Sequence, residues 1–80
     1  MKNIKQLSGK EVVKIFEMHG FEVKRKVGSH VRLTLMQKDS SYHVTIPLHS
    51  SLKIGTLHGI IKDFEVCFGK EEAEKYFFNL

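Results

Sequence analysis

The sequence predicts an α+β domain with helices covering one face of a small antiparallel sheet, in the order α-β-β-β-α-α. Three observations predict it. A helical apolar stripe framed by a cap and a stop opens the chain, and three period-two apolar segments follow at short spacing. Two further helical stripes close it.

The first helix is marked at both ends. Ser8-Gly9-Lys10-Glu11 has the form of a capping box, in which Ser8 accepts from the Glu11 amide and Glu11 reaches back. Leu7 before the cap and Val12 inside it are placed as a hydrophobic staple. Val12, Ile15 and Phe16 form an i, i+3, i+4 stripe, and Gly20 supplies the stop, so the helix is expected from about Gly9 to His19.

The next three segments read as strands. Phe21, Val23 and Val27 alternate with Glu22, Lys24 and Lys26, Arg25 interrupting the apolar face. Val31, Leu33 and Leu35 alternate with Arg32 and Thr34; Tyr42, Val44, Ile46 and Leu48 alternate with His43, Thr45 and Pro47. Short connections make an antiparallel meander the economical arrangement. If Val27 and Val31 are to share one core, they pair across a three-residue connection, Gly28-Ser29-His30. That register puts His30 at the hairpin tip and Lys24, Lys26, Arg32, His43 and Thr45 on the solvent face.

After a loop at 49–53, Leu57, Ile60, Ile61 and Phe64 place a second helix over about Ile54–Phe64. Val66-Cys67-Phe68-Gly69 is ambiguous. Ala73, Tyr76, Phe77 and Leu80 repeat the helical stripe, so a third helix is expected over about Lys70–Phe78. The whole chain, 1–80, reads as one domain with a core over 7–64 and a C-terminal helical extension over about 70–78.

Length and composition narrow the function. Eighty residues with 41% hydrophobic content support one modest core and exclude a disordered chain. One cysteine excludes a disulfide framework and a cysteine-based zinc cage, and suits a reducing compartment. No secretory h-region follows Met1-Lys2 and no apolar run approaches membrane-spanning length, so a cytoplasmic location is expected. The formal charge of +4 is unevenly spread: residues 1–62 hold eleven Lys/Arg against four acids, +7, and residues 63–80 hold two against five, −3. A basic body points to a polyanionic partner.

Five histidines supply the catalytic material: His19, His30, His43, His49 and His58. An imidazolium at His19 would suit the end of the first helix. His58 stands beside the apolar stripe of the second helix, and either His43 or His49 could contact phosphate. His30 differs in its surroundings, with Gly28 for a tight turn, Ser29 for phosphate or turn capping, and Lys24, Lys26 and Arg32 as local positive charge. Imidazole exchanges protons near neutral pH, as a general acid or base must. RNA carries its own nucleophile, the 2′-hydroxyl, so its cleavage needs a proton acceptor and charge stabilisation but not necessarily a metal. The histidines show neither HxxxH nor HExxH spacing, and phosphate-loop and dinucleotide fingerprints are missing, so no metal or cofactor is expected. Cys67, between Val66 and Phe68, reads as a buried, inert thiol.

Taken in order, several pieces form a set: Ser8-Gly9-Lys10-Glu11-Val12-Val13-Lys14, His19-Gly20-Phe21-Glu22, Gly28-Ser29-His30, His43-Val44-Thr45-Ile46-Pro47-Leu48-His49, and Lys53-Ile54-Gly55-Thr56-Leu57 with Ile60-Ile61. The set, over about residues 7–63, resembles the HicA family of small RNA-cleaving toxins of toxin–antitoxin pairs. The resemblance implies a fold like the double-stranded-RNA-binding domain. It also implies a ribosome-independent mRNA endonuclease that arrests translation and is held inactive by a HicB-type antitoxin. The histidine of the Gly-Ser-His segment is the family's catalytic residue, which here is His30. Lys24, Lys26, Ser29, Arg32 and His43 are then the candidate RNA contacts. The chain departs from the family in having Val31 where many members carry a second His, and Ile54 where many carry Pro. Beyond Asp63 the resemblance fades, and the acidic last helix would shield the basic face or serve the partner. A non-catalytic RNA-binding module of the same fold is the second reading, and a protein-interaction domain the third.

Overall fold

A computed structural model describes residues 3–79. Its elements are β1 (Asn3–Ile4), α1 (Gly9–Met18), β2 (Glu22–Val27), β3 (His30–Met36), β4 (Ser41–Pro47), α2 (Ile54–Phe68), α3 (Lys70–Phe77) and β5 (Phe78–Asn79). Strands β2, β3 and β4 form an antiparallel meander, and β1 pairs with β5 in a two-stranded ribbon. This is the expected α+β arrangement, a helix, a three-stranded antiparallel sheet and helices, as in the double-stranded-RNA-binding domain. All three helices lie on one side of the meander. Its other side is open.

The capping box forms as expected. Ser8 Oγ accepts from the Glu11 amide at 3.1 Å, and the Ser8 amide donates to Glu11 Oε1 at 2.8 Å. That second bond holds the Glu11 carboxyl below its usual pKa. The α1 stripe then buries Val12, Ile15 and Phe16 against Val31, Leu33, Val44 and Ile46 from the sheet and Leu57, Ile60, Ile61 and Phe64 from α2. On the same side, the Tyr42 hydroxyl donates to Asp63 Oδ1 at 2.9 Å, joining β4 to α2.

The C-terminal region is more closely integrated than its sequence suggests. Helix α2 continues through the ambiguous Val66–Phe68, and Gly69, at φ +91°, makes the break before α3. Ala73 and Phe77 of α3 are fully buried. The Phe77 ring stands 6.4 Å from Phe16 and 5.1 Å from Phe64, both edge-on. His19 caps α1 and points into this cluster. Its Nδ1 lies 2.7 Å from the Ile15 carbonyl and its Nε2 2.9 Å from the Glu72 carboxylate, among the rings of Phe64, Phe68 and Tyr76. The bond to His19 keeps the Glu72 carboxyl below its usual pKa. Because α3 packs in the helical layer, with Glu72 turned onto His19, the structure favours the second of the two roles expected of this acidic helix, serving a partner, over shielding the open face.

The β2–β3 hairpin also corrects an expectation. Val27 pairs with His30, not Val31, across the two-residue turn Gly28-Ser29, so His30 begins β3 instead of standing at the tip. Gly28 has φ +59° and Ser29 does not share the positive φ, the pattern of a type II′ turn. A bulge at Lys24 reconciles this turn with the core. Val23 still faces Leu33, but beyond the bulge Arg25 faces Arg32 and Lys26 faces Val31. One extra residue reverses the parity of the strand. Every residue of β2 is exposed, so burial exerts little pull on its register, and the turn decides it.

Candidate active site

The open face of the sheet is built from alternate residues of β3 and their partners in β4. His30 pairs with Pro47, Arg32 with Thr45, Thr34 with His43 and Met36 with Ser41. The Leu48 amide donates to the Ser29 carbonyl at 2.6 Å, so the next pair, His30–Pro47, is of the kind that exchanges no backbone hydrogen bonds. Two consequences follow. Pro47 is tolerated because its nitrogen faces away from β3. By alternation, every open-face pair belongs to this kind, in which Cα atoms stand only about 4.5 Å apart and side chains meet most closely.

His30 is held from three directions. Val27 pairs with it across the turn, Pro47 flanks it on β4, and the Leu48–Ser29 bond ties the turn to the end of that strand. The end of β4 is in turn seated on α1. The Gly9 amide donates to the His49 carbonyl at 2.9 Å, and a Cβ on Gly9 would stand 2.1 Å from the Pro47 carbonyl oxygen. Only glycine permits that approach.

Arg25, Val27, His30, Arg32 and Thr45 line a shallow hollow of about 200 Å³. One imidazole and two guanidinium groups share it, and no carboxylate lines it. Arg25 was missed as a site residue because without the bulge it falls on the opposite face. The signal that could have found it is the pair of lysines either side of it, which mark an exposed edge strand, where bulges are over-represented.

The remaining candidates are dispersed. Arg32 lies in the hollow and Ser29 in the turn that leads into it. Lys26 shares the side of Val31, across the strand from His30. Lys24 sits at the bulge, its Nζ 3.0 Å from Glu22 Oε1. His43 is on the open face, four residues of strand from the His30 position, or about 13 Å. Its ring is fixed there, Nδ1 lying 2.8 Å from Thr34 Oγ1 and Nε2 3.2 Å from Ser41 Oγ. Among the described residues no three His, Cys, Asp or Glu side chains gather as a metal site. Cys67, expected to be buried, is half-buried, and desolvation with nearby Asp63 pushes its thiol up from the usual pKa. No helix among the described residues is long and apolar enough to cross a membrane.

Comparison with curated proteins and with solved structures yields no match. A family model described as the HicA toxin of bacterial toxin–antitoxin pairs matches residues 9–66, from the first turn of α1 to near the end of α2. That span contains the open face, the hollow and the elements that seat His30, and on it the chain belongs to the HicA family, as the toxin of a toxin–antitoxin system with an antitoxin as its partner.

Proposed function

We propose that this toxin is an endoribonuclease that cuts mRNA at the hollow on its open face, arresting translation without a metal cofactor. The observation that carries the proposal is the hollow itself: a proton-transfer group, His30, beside two permanent cations, Arg25 and Arg32, on an exposed sheet. An open sheet suits a long polymer better than a small metabolite, and guanidinium groups match phosphate geometry.

The chemistry follows from the substrate. His30 accepts the proton of a ribose 2′-hydroxyl as that oxygen attacks the adjacent phosphorus. The P–O5′ bond breaks, leaving a 2′,3′-cyclic phosphate; the departing 5′-oxygen takes a proton from solvent water, and His30 gives up to solvent the one it accepted. Arg25 and Arg32 stabilise the negative charge that builds on the phosphorane oxygens. Thr45 and Ser29 supply hydroxyls at the rim. Lys24 and Lys26 contribute to long-range attraction of the strand more than to the reacting phosphate. The antitoxin is proposed to be of the HicB type, and the toxin to act in the cytoplasm, where its substrate is.

The test is RNA cleavage by the purified toxin and by His30→Ala, with circular dichroism and melting to show that both fold. A loss of about 10²-fold to 10⁴-fold in rate is expected, the range over which general acid–base groups act. Full activity of a folded His30→Ala toxin would refute the assignment. RNA binding with no cleavage by either protein would instead establish the non-catalytic reading.

A further inference from the structure

The open face does not end at the hollow. From the His30–Pro47 pair to the Met36–Ser41 pair it runs six residues of β3, about 20 Å. Along it the character alternates. Val27, 59% exposed, stands beside His30; the two arginines follow; then come the Thr34–His43 pair and, at the far end, Met36, 69% exposed. Met36 covers none of the core, and what sets it apart from the other exposed apolar side chains is the hydrogen-bonded polar group beside it on the same face.

The polar groups beside Met36 are organised. Thr34 is only 5% exposed, yet its hydroxyl is engaged with His43 Nδ1 at 2.8 Å, and His43 Nε2 reaches Ser41 Oγ at 3.2 Å. This chain begins on a buried hydroxyl and ends on an exposed one. It holds the imidazole in a single orientation and presents Ser41 directly across from Met36. Each hydroxyl can donate or accept, so the chain adapts to whichever group meets it.

We infer that Met36, Ser41 and His43 form a nucleotide subsite, in which an unpaired base lies on the Met36 thioether and the Ser41 hydroxyl, held in place by His43, bonds its sugar or polar edge. The inference rests on the endoribonuclease reading and deepens it by naming a contact that the strand makes away from the scissile bond. A thioether packs favourably against aromatic rings. A base is free to lie on it only when it is not stacked within a duplex. The subsite is too far from His30 to touch the nucleotide being cut, so it binds a neighbour along the strand, beyond the phosphate that Arg25 and Arg32 hold.

The experiment measures binding of a dye-labelled, unstructured RNA of about 12 nucleotides, a site size in the range such surfaces cover. It is made in the His30→Ala background so that the strand stays intact. Met36→Ala is expected to weaken binding about threefold to tenfold, the scale of one thioether–ring contact. Met36→Leu, which keeps an apolar platform, retains most of the affinity. Replacing single nucleotides by abasic ones should reveal one position, away from the scissile bond, where the loss matches that of Met36→Ala. At that position the variant is indifferent to the missing base. The same RNA annealed to its complement gains nothing from Met36. Unchanged affinity of Met36→Ala for the single strand, or an undiminished abasic penalty in that variant, would overturn the subsite. Failure of the endoribonuclease reading is separate, because it appears as absent cleavage by the unsubstituted toxin.

Discussion

Gly9 offers a direct test of how the site is seated. It occupies the first turn of α1, where alanine would ordinarily gain about 1 kcal/mol over glycine. Here the added Cβ would stand 2.1 Å from the Pro47 oxygen, 2.7 Å from Leu48 Cα and 2.9 Å from Pro47 C. All three are backbone atoms, so no side chain can swing aside. Overpacking of this sort costs about 1–3 kcal/mol. Separation of the two segments also strains the Gly9–His49 hydrogen bond, which contributes about 1 kcal/mol. The net expectation for Gly9→Ala is a loss of about 1–3 kcal/mol, or roughly 5–20 °C in melting temperature for a domain of this size. Gly59→Ala is the control. It lies inside α2 with nothing within 4 Å of its Cβ position, so the same exchange should stabilise by about 0.5–1 kcal/mol. The displaced segment, Pro47–Leu48, flanks His30 and holds its turn. Cleavage by Gly9→Ala, assayed well below its melting temperature, should therefore fall by up to about 10²-fold, as a misplacement near 1 Å can cause. Thermal melting and RNA cleavage of both variants settle the matter. A Gly9→Ala toxin as stable as the unsubstituted chain would refute the reasoning.

Three further outcomes are expected. Phe77→Ala removes a fully buried ring packed on Phe16 and Phe64, at a cost of about 3–5 kcal/mol. That is a large part of the ~4–12 kcal/mol expected of 80 residues, and denaturant unfolding should show α3 melting with the rest of the chain. Glu11 and Glu72 both have folded-state pKa values below the usual carboxylate value, held there by bonds from the Ser8 amide and from His19. Their contribution is complete above the unfolded carboxylate pKa, about 4.3, and is lost as pH falls through the lower folded values. A Glu11→Gln, Glu72→Gln double variant should therefore lose stability less steeply below that pH, read from melting temperature against pH; parallel curves would count against the pairing. Cys67, half-buried and its thiol raised by desolvation, should alkylate more slowly at neutral pH in the folded toxin than in denaturant; equal rates would contradict that shielding.

Local signals were legible wherever a residue's role depends on its near neighbours. The capping box, the α1 stripe and the glycine stop follow from side chains within one or two turns, and each formed as read. The alternation in β3 and β4 was readable for a related reason: these strands are backed by helices, so burial enforces the period. Strand β2 buries none of its side chains, so nothing enforces its period. Its valines at 23 and 27 alternate convincingly with lysines, yet the bulge places them on opposite faces. The continuation of α2 through Val66-Cys67-Phe68 was ambiguous because a short apolar run suits strand and helix equally. The β1–β5 ribbon joins residues at opposite ends of the chain, a pairing that no local pattern announces.

The sequence by itself determined the class of fold, the family and the basic character of the body, and it singled out His30 as the candidate, since a cap, a stripe or a short ordered motif is written in adjacent residues. The tertiary structure decided which cations stand beside that histidine. A single extra residue in an exposed strand exchanged Lys26 for Arg25, and a turn chosen by Gly28 moved His30 from the tip of the hairpin onto the sheet. Those outcomes depend on backbone geometry that costs little in either register, so only the assembled chain resolves them.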